Sequence, residues 1–388
     1  MLKMELSEQQ LHCKQDAASF TNQYIVPYAG LHDREERLHP EVIDSLKSSG
    51  YLGSMIPREY GGMGLDPISV GVLNEEIGRG CSSVRSLLTV HGMVAIAIQK
   101  FGSEEMRSYW LPRLASGEVI GAFGLSEPGV GSDAKSIETV AEFNGEGYVL
   151  NGKKKWITMG QLADLFLIFA QVNDKPTAFL VERNNPGLKL QPINGMLGVK
   201  GSMLAELHLE HVYVESDRMV GSSGIGVSMV ALHCLDYGRY TVAWGCVGLG
   251  QACLDASLSY AGSRRQFGVL LEENQLIQKM LTEIIVDVKA ARLLCYQSGY
   301  LKEVMDPDSI METWTAKYYA ADMVNKVAHR AVQIHGAKGC SAEYPVERFY
   351  RDARVNEIIE GTTQMHEMVI ASYAASTYES VQEEAVLS

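Results

Sequence analysis

The chain changes texture twice, near Gly121 and again near residue 226, and those two changes limit its fold more than any single motif. Residues 5–118 read as helix. Pro40–Ser49 sets Val42, Ile43 and Leu46 on one side, Ile68–Arg79 is a second helical stretch, and Gly50, the Gly61-Gly62-x-Gly64 cluster and Gly92 punctuate the region. Between about 120 and 225 short alternating segments follow, broken by turn chemistry. Asn144-Gly145 and Asn151-Gly152 read as hairpin turns on either side of Tyr148-Val149-Leu150, and Leu165–Val172, Asn173-Asp174-Lys175-Pro176 and Thr177–Val181 read as strand, turn, strand. From 226 the pattern is helical again: Ile277, Leu281, Ile284, Val288, Ala291 and Cys295 recur at spacings of three or four. The next helix opens on Ser309-x-x-Glu312, a capping box, and ends at Gly336. The expectation is a multi-domain α and β chain. Its parts are an N-terminal helical domain over 1–118, a central β-domain of barrel or sandwich type over 119–228, and a C-terminal four-helix bundle over 229–388.

Composition narrows the function classes. At 388 residues the chain exceeds one ordinary core, and 46% hydrophobic with 21% charged residues is a globular profile. Net charge is −13 with Lys and Arg scattered, whereas a nucleic-acid surface needs a concentrated basic patch. Apolar runs such as Leu165–Ala170 are far shorter than the ~20 residues of a membrane span, and the N-terminal residues lack signal- or transit-peptide character. A cytoplasmic protein is expected. The seven cysteines, at 13, 81, 234, 246, 253, 295 and 340, contain no Cys-x-x-Cys pair, so neither zinc nor a disulfide framework is indicated. His208 and His211 read as surface or packing residues, and no metal is expected.

Five clusters carry chemistry. The first is Gly124-Leu125-Ser126-Glu127-Pro128-Gly129-Val130-Gly131-Ser132-Asp133. It formally opens a relaxed dinucleotide fingerprint, but the continuation Ile137–Phe143 alternates like a strand, and that fingerprint must open a helix. The loop can still wrap a flavin or phosphate through backbone N–H groups, or be a plain structural turn. In the second, Trp156-Ile157-Thr158, an indole wall stands beside a hydroxyl, suited either to a ring system or to the core. The third is Arg264 with Gln266, Phe267 and Gln275: Arg264 can meet a pyrophosphate or simply be solvated. The fourth is Gln333-x-x-Gly336 at a helix end. The fifth is Glu357-Ile358-Ile359-Glu360-Gly361-Thr362-Thr363-Gln364. Bulky apolar neighbours would raise the pKa of Glu360 if they desolvate it, which makes a base able to take a carbon-bound proton; a surface carboxylate is the alternative.

In order and spacing, over nearly the whole chain, these clusters resemble the acyl-CoA dehydrogenase family. The resemblance implies FAD bound between domains. Phe123, Leu125, Ser126, Gly131, Ser132, Trp156, Ile157 and Thr158 would hold the flavin ring and a nearby phosphate, with Ser132 also facing substrate. Arg264, Gln266, Phe267, Gln275, Gln333 and Gly336 would hold FAD across a subunit interface, and Thr362 and Gln364 would touch it beyond the base. His335 and Ala337 depart from the family's usual Gly-Gly loop. By the same resemblance Glu360 is the catalytic base. It removes the thioester α-proton while hydride passes to flavin N5, and a ribityl hydroxyl and the backbone N–H of the base stabilise the developing enolate. Asp236, Arg239 and Gly361 fall beside the substrate, although Arg239 could instead form a structural salt bridge. The implied partners are an acyl thioester on CoA or an acyl carrier protein and an electron-accepting flavoprotein, with a homodimer or homotetramer as the assembly.

Arg85 sharpens the acyl group. In Cys81-Ser-Ser-Val-Arg85-Ser86 it stands where the family lines the acyl pocket, and there the chain is similar to glutaryl-CoA dehydrogenases, whose matching Arg binds a distal carboxylate. A buried Arg is costly unless it meets an anion, so a carboxylated or oxygenated acyl group is expected; a rim Arg paired with a nearby carboxylate is the alternative. Tyr237-Gly-Arg-x-x-Val242-Ala-Trp-Gly-Cys246 and Val346-Glu-Arg-x-Tyr350-Arg-Asp-Ala resemble a further branch, dedicated to carrier proteins, that helps make hydroxymalonyl, methoxymalonyl or aminomalonyl units for antibiotic pathways. Ile359, where many β-oxidation members carry Tyr, fits that branch. The expected function is oxidation of a small polar acyl thioester bound to a carrier protein, ahead of glutaryl-CoA or another short-chain acyl-CoA. A non-catalytic flavoprotein or interaction protein is the reading from a different class.

Overall fold

A computed structural model describes the backbone of residues 5–387 and the side chains of residues 5–377. The N-terminal region is α1 (Glu8–Phe20), α2 (Ala29–Glu35), α3 (Pro40–Ser49), α4 (Pro67–Gly80), α5 (Ser82–Phe101) and α6 (Glu104–Ser116). Local chemistry sets these boundaries. Ser7 and Gln10 form a capping box on α1, Asp66 accepts from Ser69 N ahead of Pro67 at the start of α4, and Ser103 accepts from Met106 N on α6. Helices α4 and α5 are buried almost throughout, which is why their apolar pattern is broader than one stripe.

Eight strands follow: β1 (Gly121–Gly124), β2 (Val140–Phe143), β3 (Gly147–Ile157), β4 (Leu165–Val172), β5 (Lys175–Glu182), β6 (Leu188–Pro192), β7 (Ala205–Glu215) and β8 (Met219–Val220). They make one mixed sheet in the order β6-β7-β3-β2-β4-β5-β8, with β1 parallel to β4. Residues of β5 and β7, not neighbours in that order, come into contact, while the end strands β6 and β8 do not pair, so the sheet curls as an incompletely closed barrel.

Asn144 and Gly145 make the expected turn, with Asn144 Oδ1 accepting from Glu146 N and Gly147 N. Asn173 and Asp174, both at positive φ, join β4 to β5 as a two-residue hairpin. Asn151-Gly152 corrects the expectation. It lies inside β3 as a bulge, where the register against β7 shifts and Asn151 Oδ1 accepts from His211 N.

The remaining helices are α7 (Leu232–Ala261), α8 (Gln275–Glu303), α9 (Ser309–His335), α10 (Val346–Val355) and α11 (Thr363–Leu387), with the short hairpin β9 (Arg265–Gln266) and β10 (Val269–Leu270) between α7 and α8. Ser309 is the first residue of α9 and not its cap. Asp308 holds the cap position without a side-chain bond, so the expected Ser309–Glu312 capping box does not form, while Gly336 ends the helix at φ 61 as the sequence suggests.

Buried polar side chains join the three regions. The His91 ring accepts from Gly121 N at 3.1 Å, so its other nitrogen, 3.0 Å from Leu114 O, carries the proton, and burial holds its pKa down at about 4. Arg351 of α10 makes a two-pronged pair with Asp33 of α2 (2.6 and 2.8 Å), and its neighbour Asp352 accepts from Val199 N at 2.5 Å in the β-region.

Candidate active site

Helix α7 is the spine of the site. Gly238 lacks a side chain where the Glu360 carboxyl group lies: a Cβ there would stand 2.6 Å from Glu360 Cδ and overlap Oε2. Glu360 (φ 55) and Gly361 (φ 95) are consecutive left-handed residues between α10 and α11. Holding a non-glycine residue there costs on the order of 1–3 kcal/mol, a cost that recurs at functional sites. Glu360 as a whole is half-buried, but its Oε2 is closed off from solvent and has no hydrogen-bond partner. Burial raises its pKa above the ordinary carboxylate value, and the cations of Arg239, Lys317 and Arg85 pull it back down. A carboxylate so placed, unpaired and partly desolvated, is chemically a base awaiting a proton.

Arg239, one residue along from Gly238, makes no salt bridge among the described residues. Its Nε donates to Glu360 O at 3.1 Å and its guanidinium stacks 3.8 Å from the centre of the Trp314 ring. Arg85, on the first turn of α5, is 2% exposed. Its Nη1 donates to Thr89 Oγ1 (3.0 Å) and its Nη2 to Ser86 Oγ (3.3 Å), and Thr89 Oγ1 meets Thr241 Oγ1 at 2.9 Å. A Cβ on Gly245 would crowd Arg85 Cδ at 2.8 Å, so α7 makes room for this side chain as it does for Glu360. No carboxylate lies within ion-pairing distance of Arg85 among the described residues, which removes the rim-pair alternative. Burial lowers its pKa. Asp236 is placed differently. Two residues before Gly238 it points about 200° around α7, pairs with Lys302 Nζ at 2.5 Å, and lines a cavity of ≈ 380 Å³ with Lys100, His233, Tyr237 and Tyr240.

The Gly-rich loop is pinned from behind by a buried ion pair that the sequence reading passed over. Lys154 Nζ donates to Glu127 Oε1 (2.6 Å) and to Leu125 O (3.2 Å), and Glu127 also accepts from Thr139 N and Thr139 Oγ1. Lys155 N donates to Ser126 O, which sets Phe123, Leu125 and Ser126 beside Trp156, Ile157 and Thr158. Trp156 takes φ 63 and is 50% exposed near the end of β3, while Thr158 is half-buried and Gly131 and Ser132 are open to solvent. No α-helix follows the loop, only a short 3-10 turn at Ala134–Ser136 and then β2. A half-bared indole on strained backbone, next to hydroxyls and a rigid glycine-rich loop, fits a planar ring system with attached phosphates.

Arg264, Gln266, Phe267 and Gln275 sit at the far end of α7, all exposed, with Phe267 100% exposed. His335 stacks on Tyr260 (4.3 Å between centroids), which brings Gln333 and Gly336 to the same end. Twenty-three residues of helix separate Gly238 from Ala261, about 35 Å at 1.5 Å per residue. One chain therefore carries the two clusters at opposite ends. Thr362 and Gln364 lie beside the base, half-buried and exposed respectively.

Three residues escaped the sequence reading. Lys317 is 1% exposed, its Nζ donates to Gly361 O at 2.8 Å, and burial lowers its pKa to about 8. His366 is buried against Trp314, with Nδ1 3.0 Å from Thr362 O and Nε2 unpartnered. Gly238 completes the set. Lys317 had a signal: it falls within the run of buried positions Thr313, Ala316, Ala320 and Ala321, a cation in the apolar stripe of α9.

Comparison with known proteins agrees with this geometry. The family descriptions "Acyl-CoA dehydrogenase, N-terminal domain", "middle domain" and "C-terminal domain" match residues 7–118, 122–212 and 224–374. The chain is 36% identical over 380 residues to the glutaryl-CoA dehydrogenase of Desulfococcus multivorans (95% of this chain, 97% of the relative). It is 36% identical over 383 residues to the human mitochondrial short-chain specific acyl-CoA dehydrogenase (97% and 92%). Among solved structures it superposes on a glutaryl-coenzyme A dehydrogenase–glutaryl-CoA complex with TM-score 0.91 at 36% identity, covering 95% of each chain. The prolyl acyl carrier protein oxidase AnaB matches with TM-score 0.91 at 28% identity (95% and 100% covered). FkbI, for biosynthesis of a methoxymalonyl extender unit, matches with TM-score 0.86 at 30% identity (94% and 99% covered). Matched over all three of its domains and 36% identical to a full-length member, the chain belongs to the acyl-CoA dehydrogenase family, FAD-dependent oxidoreductases acting on CH–CH bonds.

Proposed function

We propose that the chain oxidises a small polar acyl group carried as a thioester on an acyl carrier protein, in the making of an extender unit for polyketide or nonribosomal-peptide assembly. The observation that carries this reading is Arg85, a buried cation whose side-chain hydrogen-bond partners among the described residues are hydroxyls. The buried polar cluster of Arg85, Ser86, Thr89 and Thr241 is poorly suited to face a plain alkyl chain and well suited to meet a carboxylate or hydroxyl at the acyl tip. Likeness to FkbI and to AnaB, each described by its carrier-protein or extender-unit role, supports the carrier over CoA.

Within the site Glu360 takes the α-proton on its carboxylate, whose pKa burial raises while the cations of Arg239, Lys317 and Arg85 draw it back down and favour the ionised form. Arg239 fixes the carbonyl side of the base through its bond to Glu360 O. Trp156, Thr158 and the Ser126–Ser132 loop hold FAD, which when bound supplies the two-electron acceptor. Arg264, Gln266, Phe267, Gln275, Gln333 and Gly336, about 35 Å along α7, hold the FAD of a second copy, so a homodimer or homotetramer is the working form. An electron-accepting flavoprotein reoxidises the enzyme.

Bleaching of the yellow protein by synthetic thioesters tests the reading. Small three-carbon hydroxy- or amino-acyl groups on a carrier protein, which still carry hydrogens to lose, should bleach the protein faster than glutaryl-CoA and butyryl-CoA. Faster bleaching by glutaryl-CoA would move the substrate to the second reading, a glutaryl-CoA dehydrogenase, which the relative from Desulfococcus multivorans favours. Glu360→Gln should keep FAD and lose bleaching by more than about a hundredfold; retained turnover would remove the proposed role of Glu360.

A further inference from the structure

The turn that presents Glu360 is held by its carbonyls. Three successive carbonyl oxygens, of Glu360, Gly361 and Thr362, each receive a side-chain N–H from a different helix. Arg239 Nε of α7 reaches the first (3.1 Å), Lys317 Nζ of α9 the second (2.8 Å) and His366 Nδ1 of α11 the third (3.0 Å). A carbonyl only accepts, so His366 carries its proton on Nδ1; burial lowers its pKa to about 3 and keeps the ring neutral. The peptides so gripped are those of the left-handed pair Glu360 and Gly361, whose backbone would relax without outside bonds.

Lys317 is the unusual member. It is 1% exposed, and its only hydrogen bond among the described residues is to Gly361 O, since no carboxylate pairs with it. The charged or titratable groups that face it are Glu360 on the turn, Arg239 and Cys246 on α7, and Glu357 just before the turn, while on α11 the ring of His366 feels its charge. Burying an ammonium this way is expensive unless its charge is used nearby. The nearby anion left without a partner is the Glu360 carboxylate.

We infer that Lys317 is a positioning residue of this site: its hydrogen bond to Gly361 holds the Glu360 turn, and its charge keeps the Glu360 carboxylate ionised in a desolvated pocket. The inference rests on the reading of Glu360 as the base. Removing a nearby positive charge raises a carboxylate's pKa, so the acid limb of the bleaching rate moves to higher pH, by about one unit for an opposite charge at close range.

The test uses the FAD-loaded full chain and stopped-flow bleaching from pH 5 to 9 with the best thioester found. Lys317→Gln keeps a donor for Gly361 O without the charge, so its limb should rise by about one unit while the high-pH plateau stays within about threefold of wild type. Lys317→Met loses both, so the limb rises and the plateau falls by about tenfold, the worth of a hydrogen bond of ~1.4 kcal/mol. Lys317→Arg should return the limb to the wild-type position. A Gln variant that holds FAD and has a wild-type limb overturns the charge role. If every uncharged variant loses FAD or melts early while the Arg variant is active, Lys317 belongs to folding alone and the inference also falls. Glu360→Gln serves as the separate control: bleaching retained there sinks the reading of the base, whereas bleaching lost there with an unmoved Lys317→Gln limb sinks only this inference.

Discussion

Replacing Arg85 by Met should separate substrate recognition from stability, because the two effects run in different directions. Arg85 is 2% exposed and has no carboxylate within pairing distance among the described residues, so in the substrate-free protein its desolvation, several kcal/mol for a buried ion, is offset by bonds to two hydroxyls and by the more distant Glu360 carboxylate. Those bonds return about 1.5–3 kcal/mol each. Neither hydroxyl is stranded without Arg85, since Ser86 also donates to Ser82 O and Thr89 also donates to the carbonyl of residue 85. Met fills a similar volume, so Arg85→Met should leave unfolding free energy within about 1 kcal/mol of wild type, not the 3–5 kcal/mol loss seen when a paired buried charge is broken.

Activity on a carboxylate-bearing thioester should fall by at least about 30-fold in kcat/KM. That is the ~2 kcal/mol lower end for deleting one partner of a desolvated charge pair. Bleaching by a butyryl thioester should stay within about threefold of the wild-type rate, because that chain has no charge to meet the lost cation. Thermal unfolding followed by FAD fluorescence reads the first quantity and stopped-flow bleaching the second. If the variant loses about 3 kcal/mol or more and slows equally on both substrates, Arg85 is a structural ion and the reasoning about an awaiting anion is wrong.

Gly238→Ala should leave α7 folded, since Ala is the better helix former, yet its Cβ would overlap the Glu360 carboxyl. FAD content should hold while bleaching drops by about a hundredfold or more, and a wild-type rate would show that the carboxyl is free to sit elsewhere. Asp352→Asn should change how stability depends on pH. Burial raises the Asp352 pKa from its ordinary 3.8 to about 6, so its contribution is most favourable below about 4 and is lost as pH rises through 6. The variant should therefore match or exceed wild-type stability at pH 8 and lose that advantage by pH 4. Parallel melting-temperature curves for the two proteins across this range would contradict the assignment.

Much of the architecture was legible in the sequence because its signals are local. Asn173-Asp174 needs two positive φ values to close β4 onto β5, and Pro40–Ser49 declares both ends of α3. The capping box at Ser309 misled because the pattern Ser-x-x-Glu does not record where the preceding turn ends; Asp308 follows Asp306 in a tight turn, and the helix begins one residue earlier than the pattern implies. Asn151-Gly152 misled because a bulge and a hairpin demand the same backbone freedom, and only pairing with β7 decides between them.

In the proposed site, Glu360 and Arg239 could be read from their motif. Lys317, His366 and Gly238 could not, because their importance comes from contacts more than forty residues or more than a hundred residues away along the chain, or from a side chain that is missing. Asp236 lies in the same motif, three residues before Arg239, but its side chain pairs with Lys302 and lines the cavity beside Lys100 and His233.

The three-way tie at α10 has a consequence for how the molecule comes apart. Arg351 grips α2 and Asp352 grips the β-region from adjacent positions on one short helix, so neither outer region can loosen without disturbing the segment that leads to Glu360. The regions should then melt as one cooperative block, with a single calorimetric peak in place of a staircase. Damage far from the pocket, at Asp33 for instance, would surface first as weaker catalysis and only later as visible unfolding.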